Sequence, residues 1–270
     1  MVSRGLFAIE WGFQSSVLGP NNDWSANREF NDILAHAAHP RTMFGSAAVK
    51  SVYAILVDDT MPSLLQDRAQ LLVDRIELNA EAYILSGDAE VFREQCVNSS
   101  QLVFQATWMQ GAYRLTGVEP FKTEAKDVIR TMMDMQLESG AFGEQGGYDT
   151  SYAVQTIREL VVYREMLSGD GLGAWKTRVS DFITKGVNWL LGRIAPDGSI
   201  DTTGNERTSA DGPPMEGSFP KGWDLDQIAI TLAQYAVAFD RWTELEPIIT
   251  AVQYRGQEYD HIRDVSSPQG

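Results

Sequence analysis

Gln136-Leu-Glu-Ser-Gly-Ala-Phe-Gly-Glu-Gln-Gly-Gly-Tyr-Asp-Thr-Ser-Tyr152 and Ile194-Ala-Pro-Asp-Gly-Ser-Ile-Asp-Thr-Thr-Gly-Asn-Glu-Arg-Thr208 read as two versions of one loop. Each follows a long stretch with helical apolar periodicity. Each turns on a glycine preceded by a hydroxyl or acidic residue and followed two residues later by an apolar one: Ser139-Gly140-Ala-Phe142 and Asp197-Gly198-Ser-Ile200. The two glycines are 58 residues apart. Both loops then carry more polar side chains than a plain turn needs.

Helical periodicity extends outward from these loops over most of the chain. The pattern predicts helices over about Ala26–Ala38, with Ser25 as N-cap, and Arg41–Leu56, opened by Pro40. Further helices are predicted over Pro62–Leu85, Ala89–Leu115, Phe121–Leu137, Ser151–Leu167, Ala174–Arg193, Asp224–Phe239 and Trp242–Tyr254. Asn98-Ser-Ser100 is a place where the long fourth segment breaks or a new helix is capped. Leu85-Ser-Gly87, Leu115-Thr-Gly117 and Leu167-Ser-Gly169 close three of the helices, with glycine supplying the left-handed residue that satisfies the last carbonyls. Phe121-Lys-Thr123 and Trp175-Lys-Thr177 open the helices that lead into the Gly140 and Gly198 loops. A two-helix unit repeating every 50–60 residues cannot bury its apolar face alone and must stack. The expected fold is all-α: an incomplete α/α toroid of four to five helical hairpins. Residues 1–24 read as an N-terminal arm, 25–257 as the toroid domain and 258–270 as a C-terminal tail.

Composition narrows the function. Of 270 residues, 22 are basic and 37 acidic, a net charge of −15. That field repels phosphate, so neither nucleic acid nor an anionic membrane surface is expected as a partner. The single cysteine, Cys96, excludes an intrachain disulfide and a thiolate metal cage. The N-terminal apolar run is too short for a signal peptide, and no stretch has the length of a membrane span. A soluble chain is expected, in a compartment the sequence does not identify.

The polar loop residues are the candidates for chemistry. Residues 139–152 hold Glu144, Gln145, Tyr148, Asp149, Thr150 and Tyr152; Asp149 or Thr150 also suits the N-cap of the next helix. Residues 197–221 hold Asp201, Asn205, Glu206, Arg207 and Asp211 in an unusually long loop for a compact domain. Trp108, Tyr113, Trp189 and Tyr235 either pack in the core or line a cleft. Asn98 lies in a polar patch with Gln95, Ser99 and Gln101 inside an otherwise apolar run. His36 and His39 share a helix face, but with no nearby Cys or third His no metal site is expected, and no cofactor. There is no P-loop, no His-Glu-x-x-His and no Gly-x-Ser-x-Gly elbow.

The helical-hairpin repeat, with Gln136–Phe142, Gly147–Tyr152 and Asp197–Thr208, resembles the α/α-toroid proteins over roughly Pro62 to Val252. That superfamily includes polysaccharide lyases, many glycoside hydrolases and the terpenoid cyclases, and the chain looks most like the carbohydrate-active branch. The resemblance implies an oligo- or polysaccharide partner. It further implies cleavage, by β-elimination at a uronate or by hydrolysis, in a cleft between loops 139–152 and 197–221.

Three readings stay open. In a lyase, Tyr148 or Tyr152 would serve as base and acid while Arg207 and Asn205 neutralise the sugar carboxylate. In a hydrolase, Glu144 or Asp149 would pair with Asp201 or Glu206. Asn98, Asp201, His39 and Trp108 are further candidates for holding substrate. In the third reading the array binds or scaffolds without catalysis.

Overall fold

The structure is a computed structural model that describes residues 31–167, 173–201, 203–205 and 225–266, with side chains over 41–167, 173–201, 203–205 and 225–256. The described residues form nine helices and no strand: α1 (Asn31–Val57), α2 (Ser63–Leu85), α3 (Asp88–Gln95), α4 (Ser99–Thr116), α5 (Glu119–Met135), α6 (Thr150–Glu165), α7 (Gly173–Leu191), α8 (Leu225–Ala238) and α9 (Trp242–Ser266). The all-α expectation holds. The chain divides into two compact units, Met1–Cys96 with Gln101–Asp134, and Val97–Ser100 with Met135–Gly270.

Two boundaries differ from the sequence pattern. Pro40 does not open a second helix; α1 runs through it without a break. An interior proline costs about 3 kcal/mol, and burial of Ala48, Val49, Val52 and Ile55 along the same helix offsets that cost. The last helix continues from Trp242 past Tyr254 to Ser266. The predicted break near Asn98 is real. Cys96 is extended, at φ −75° and ψ 123°, and α4 begins at Ser99. Gly87 and Gly117 adopt the left-handed conformation at the ends of α2 and α4, while Gly169 lies outside the described residues.

The first unit packs around Trp108 of α4. A side chain on Gly45 of α1 would place its Cβ 2.4 Å from the indole, and one on Gly111 would meet Val49 at 2.5 Å, so the α1 and α4 backbones approach closely. Tyr83 packs on Trp108 with ring centroids 5.0 Å apart and planes tilted by 32°. The core also holds a polar cluster. Gln105 donates to the Ala89 carbonyl at 3.0 Å and to Glu124 at 2.7 Å, and Glu124 pairs with Arg93. Burial raises the Glu124 carboxyl above its ordinary value of 4.5, and the bonds from Arg93 only partly offset this. A raised carboxyl favours the folded state fully below its unfolded pKa, and that contribution is lost as pH rises through the folded value. The stability of wild type minus that of Glu124→Gln is therefore expected to fall as pH increases from below 4.5 towards neutrality. Urea titrations of both proteins across that range check it. A difference that rises with pH would mean that Arg93 outweighs burial.

The second unit contains both matched loops, and they repeat at the level of single hydrogen bonds. Gly140 N–H donates to Leu137 O at 2.8 Å and Leu137 N–H to Ala141 O at 2.9 Å; Gly198 N–H donates to Ala195 O at 2.9 Å and Ala195 N–H to Ser199 O at 2.8 Å. Each bond is displaced by the same 58 residues. Both glycines have positive φ, +94° and +80°, and both lie against a backbone carbonyl of a later helix: Lys185 on α7 for Gly140 and Ala251 on α9 for Gly198. Phe142 follows the first turn and packs on Gly186 and, edge to face, on Phe182 at 5.3 Å.

A second repeat runs through α4, α6 and α8. Each carries a glutamine and, eight residues later, a tyrosine: Gln105 and Tyr113, Gln155 and Tyr163, Gln227 and Tyr235. Each tyrosine hydroxyl accepts a bond from the start of the following helix, from Lys122 at 3.2 Å, Trp175 at 3.1 Å and Arg241 at 2.8 Å. A tyrosine at an apolar interface needs such a partner for its hydroxyl. The same device therefore closes three successive helix pairs.

Candidate functional site

The polar side chains of the loops fall into two groups with different tasks. The first group satisfies helix N-termini, whose leading N–H groups have no partner within the helix. Glu144 is fully buried and accepts a 2.7 Å bond from Ser100 N–H in the first turn of α4. Asn205, on the second loop, accepts bonds from Thr150 N–H at 3.3 Å and from the Thr150 hydroxyl at 2.8 Å, in the first turn of α6. The backbones also meet at these points, with opposite sense: Glu144 makes an antiparallel bridge to Asn98, two residues before Ser100, and Asn205 a parallel bridge to Tyr148, two residues before Thr150. Each loop thus caps the helix that follows the preceding loop. Asp149 is the local N-cap of α6. Its Oδ1 accepts from Ser151 N–H at 2.9 Å, the Ser151 hydroxyl at 2.7 Å and Tyr152 N–H at 3.1 Å.

The backbone around Glu144 is tightly held. Glu144 and Gly147 exchange N–H to O bonds at 2.9 and 3.0 Å across Gln145 and Gly146, whose φ angles of 52° and 89° make the turn compact. Ser99 N–H donates to Gly143 O and Gln145 N–H to Val97 O, both at 3.0 Å. Asn98 is buried in this segment at 8% exposure, and its backbone bridges Glu144.

The second group lies at the surface. Tyr148 and Trp189 are half-buried and meet edge to face with centroids 5.1 Å apart. The Arg193 guanidinium lies 5.0 Å from the Tyr148 ring centre and 5.6 Å from that of Trp189. Arg193 also pins the second loop, donating to Asp201 O at 3.0 Å and to Thr203 O, and pairing with the Asp201 carboxylate at 3.4 Å. The Tyr148 hydroxyl donates to Thr203 O at 2.9 Å. The result is an aromatic pair backed by a cation and flanked by an exposed carboxylate.

Asp197 and Asp201, on the second loop, are held below the usual carboxylate range. Thr203 N–H and hydroxyl do this for Asp201, with Arg193 adding to it, and the Ser199 hydroxyl and N–H do it for Asp197. Both are ionised at neutral pH, which suits holding a ligand and not donating a proton. Beside Asp197 a shallow depression of about 500 Å³ is lined by Pro196, Pro247, Tyr254 and Arg255.

Of the residues singled out from sequence, the second unit brings together Glu144, Tyr148, Asp149, Tyr152, Asp201, Asn98 and Asn205 around the two loops. Trp108 is 1% exposed in the core of the first unit. Glu206, Arg207 and Asp211 lie outside the described residues, as does the side chain of His39. Sequence reasoning offered Trp189 as a core or cleft aromatic without tying it to these loops, and it missed Arg193. Their position one turn apart, just before the second loop, was the available signal. Among the described residues no group of three or more His, Cys, Asp or Glu could hold a metal ion, and no helix is long and apolar enough to cross a membrane. No family model matches the chain, and neither does any curated protein or solved structure.

Proposed function

We propose that this protein is a carbohydrate-active member of the α/α-toroid kind that binds an oligo- or polysaccharide at the end of its hairpin array carrying the two matched loops. The observation behind this reading is the cluster of Tyr148, Trp189, Arg193 and Asp201. Aromatic faces stack on the C–H faces of sugar rings, and fixed polar groups beside them hold hydroxyls and set orientation. The net charge of −15 favours a neutral glycan over a uronate.

Cleavage is the second reading. A hydrolase pairing Glu144 or Asp149 with Asp201 or Glu206 has little support, because the Glu144 and Asp149 carboxylates are each committed to a helix N-terminus. Elimination would have the Arg193 cation beside Tyr148, but the Tyr148 hydroxyl donates to Thr203 O and would have to leave that bond to act as base or acid.

Affinity electrophoresis through gels containing neutral or uronate polysaccharides tests binding. Retardation by at least one neutral glycan is expected. Trp189→Ala is expected to weaken it roughly tenfold, the worth of one aromatic contact of about 1.4 kcal/mol, with helix content unchanged. Retardation by none of the panel would sink the proposal. A new unsaturated-uronate absorbance on incubation would assign elimination, and new reducing ends without that absorbance would assign hydrolysis.

A further inference from the structure

Helix α2 carries leucine at positions 64, 71, 78 and 85, one every seven residues from its first turn to its last. All four are exposed, at 69, 71, 64 and 77%. The same helix buries Ala69, Leu72, Val73, Ile76, Ala80 and Tyr83. At 3.6 residues per turn those six lie on the side roughly opposite the leucines. The leucines are therefore not the face by which α2 packs into its own unit. A single exposed leucine is ordinary, but four in heptad register form a continuous seam about 32 Å long at 1.5 Å per residue.

The charges beside the seam are sorted by edge. Asp67, Asp74 and Glu81 follow the first three leucines by three residues and flank one side of the stripe; Arg68 and Arg75 follow by four and flank the other. In a helix pair with its two-fold axis parallel to the helices, the acidic edge of one copy meets the arginine edge of the other at nearly the same height. An antiparallel pair would instead set acid against acid. Leucine every seven residues fills one of the two seam positions of a heptad, and charges sorted by edge in this way set the orientation of such a contact.

We propose that α2 is a homodimerisation seam, in which two copies of this chain pair their Leu64–Leu85 stripes in parallel. The contact is isologous and closes at two copies.

Sedimentation velocity on the full chain tests the association. A species of twice the 30.0 kDa chain mass is expected at micromolar concentration, and Leu71→Lys with Leu78→Lys should convert it to monomer without loss of helix content. Wild type that stays monomeric, with a Kd weaker than about 100 μM, overturns the proposal, whatever else covers the stripe, the chain's own residues 1–30 included. A dimer that survives the double substitution overturns it too. Orientation is read by oxidising Leu85→Cys: a parallel seam brings the new thiol to its counterpart and gives a disulfide-linked dimer absent from wild type. Cross-linking only when Leu64→Cys and Leu85→Cys chains are mixed would overturn the parallel arrangement. In a second check, Arg75→Glu should weaken the dimer and adding Asp74→Arg in the same chain should restore it; failure of that rescue contradicts the edge pairing.

Discussion

Gly198→Ala is expected to destabilise the second unit by about 3–5 kcal/mol, a large share of the roughly 5–15 kcal/mol that holds an ordinary domain folded. Two costs combine. Gly198 has a φ of +80°, where an L side chain is strained by roughly 1–2 kcal/mol. The added Cβ would also stand 2.3 Å from the Ala251 carbonyl oxygen and 2.5 Å from its carbon. Those atoms are backbone within α9, so relief requires moving a helix and not turning a side chain, which adds about 2–3 kcal/mol of overpacking. Gly117→Ala separates the two terms. It has a comparable φ of +76° with nothing within 4 Å of the new Cβ, so it carries the conformational cost alone. Equilibrium urea unfolding of the two variants should therefore show Gly198→Ala as the more damaging by at least about 2 kcal/mol. Equal losses would mean that α9 yields freely at Ala251 and that the loop is not wedged against it.

That wedge also explains what could be read in advance. The 58-residue spacing of Gly140 and Gly198 was visible because a left-handed turn needs glycine, and the same need placed the ends of α2 and α4 at Gly87 and Gly117. Asp149 as an N-cap was legible because its partners are two and three residues away. Glu144 and Asn205 were not, because they cap N–H groups 44 and 55 residues distant in sequence. A polar loop residue looks the same in a one-dimensional pattern whether it awaits a substrate or satisfies a remote helix. The continuity of α1 through Pro40 was hidden for a related reason: local propensity opposes it, and tertiary burial decides. The glutamine–tyrosine spacing on α4, α6 and α8 and the leucine heptad on α2 were both present in the sequence. They are overlooked when each helix is read only for the face it buries, since the first concerns what one helix offers to the next and the second what α2 leaves exposed.

Glu144→Ala is expected to cost about 3 kcal/mol, whereas Glu144→Gln should cost no more than about 1 kcal/mol. The asymmetry follows from what the side chain does. Glu144 is 0% exposed and its Oε1 accepts from Ser100 N–H at 2.7 Å. Alanine leaves that buried donor unsatisfied, a loss of about 1–3 kcal/mol, and empties the space of a carboxyethyl group, which adds to it. Glutamine keeps an oxygen of the same reach and loses only the charge-assisted part of the bond. The backbone bonds of the loop, Ser99 to Gly143 and Gln145 to Val97, are common to all three proteins, so the comparison isolates the side chain. The pair also discriminates between roles for the matched loops. A catalytic acid or nucleophile cannot be replaced by an amide, so a hydrolase using Glu144 would lose its activity in Glu144→Gln while remaining folded. A cap needs only an acceptor. The expected result is a Glu144→Gln protein with wild-type polysaccharide retardation and near-wild-type stability, and a Glu144→Ala protein that unfolds at markedly lower urea. Equal destabilisation by both substitutions would show that the negative charge, and not the acceptor, is what α4 requires. In that case the loop's contribution is electrostatic, through the positive end of the helix dipole.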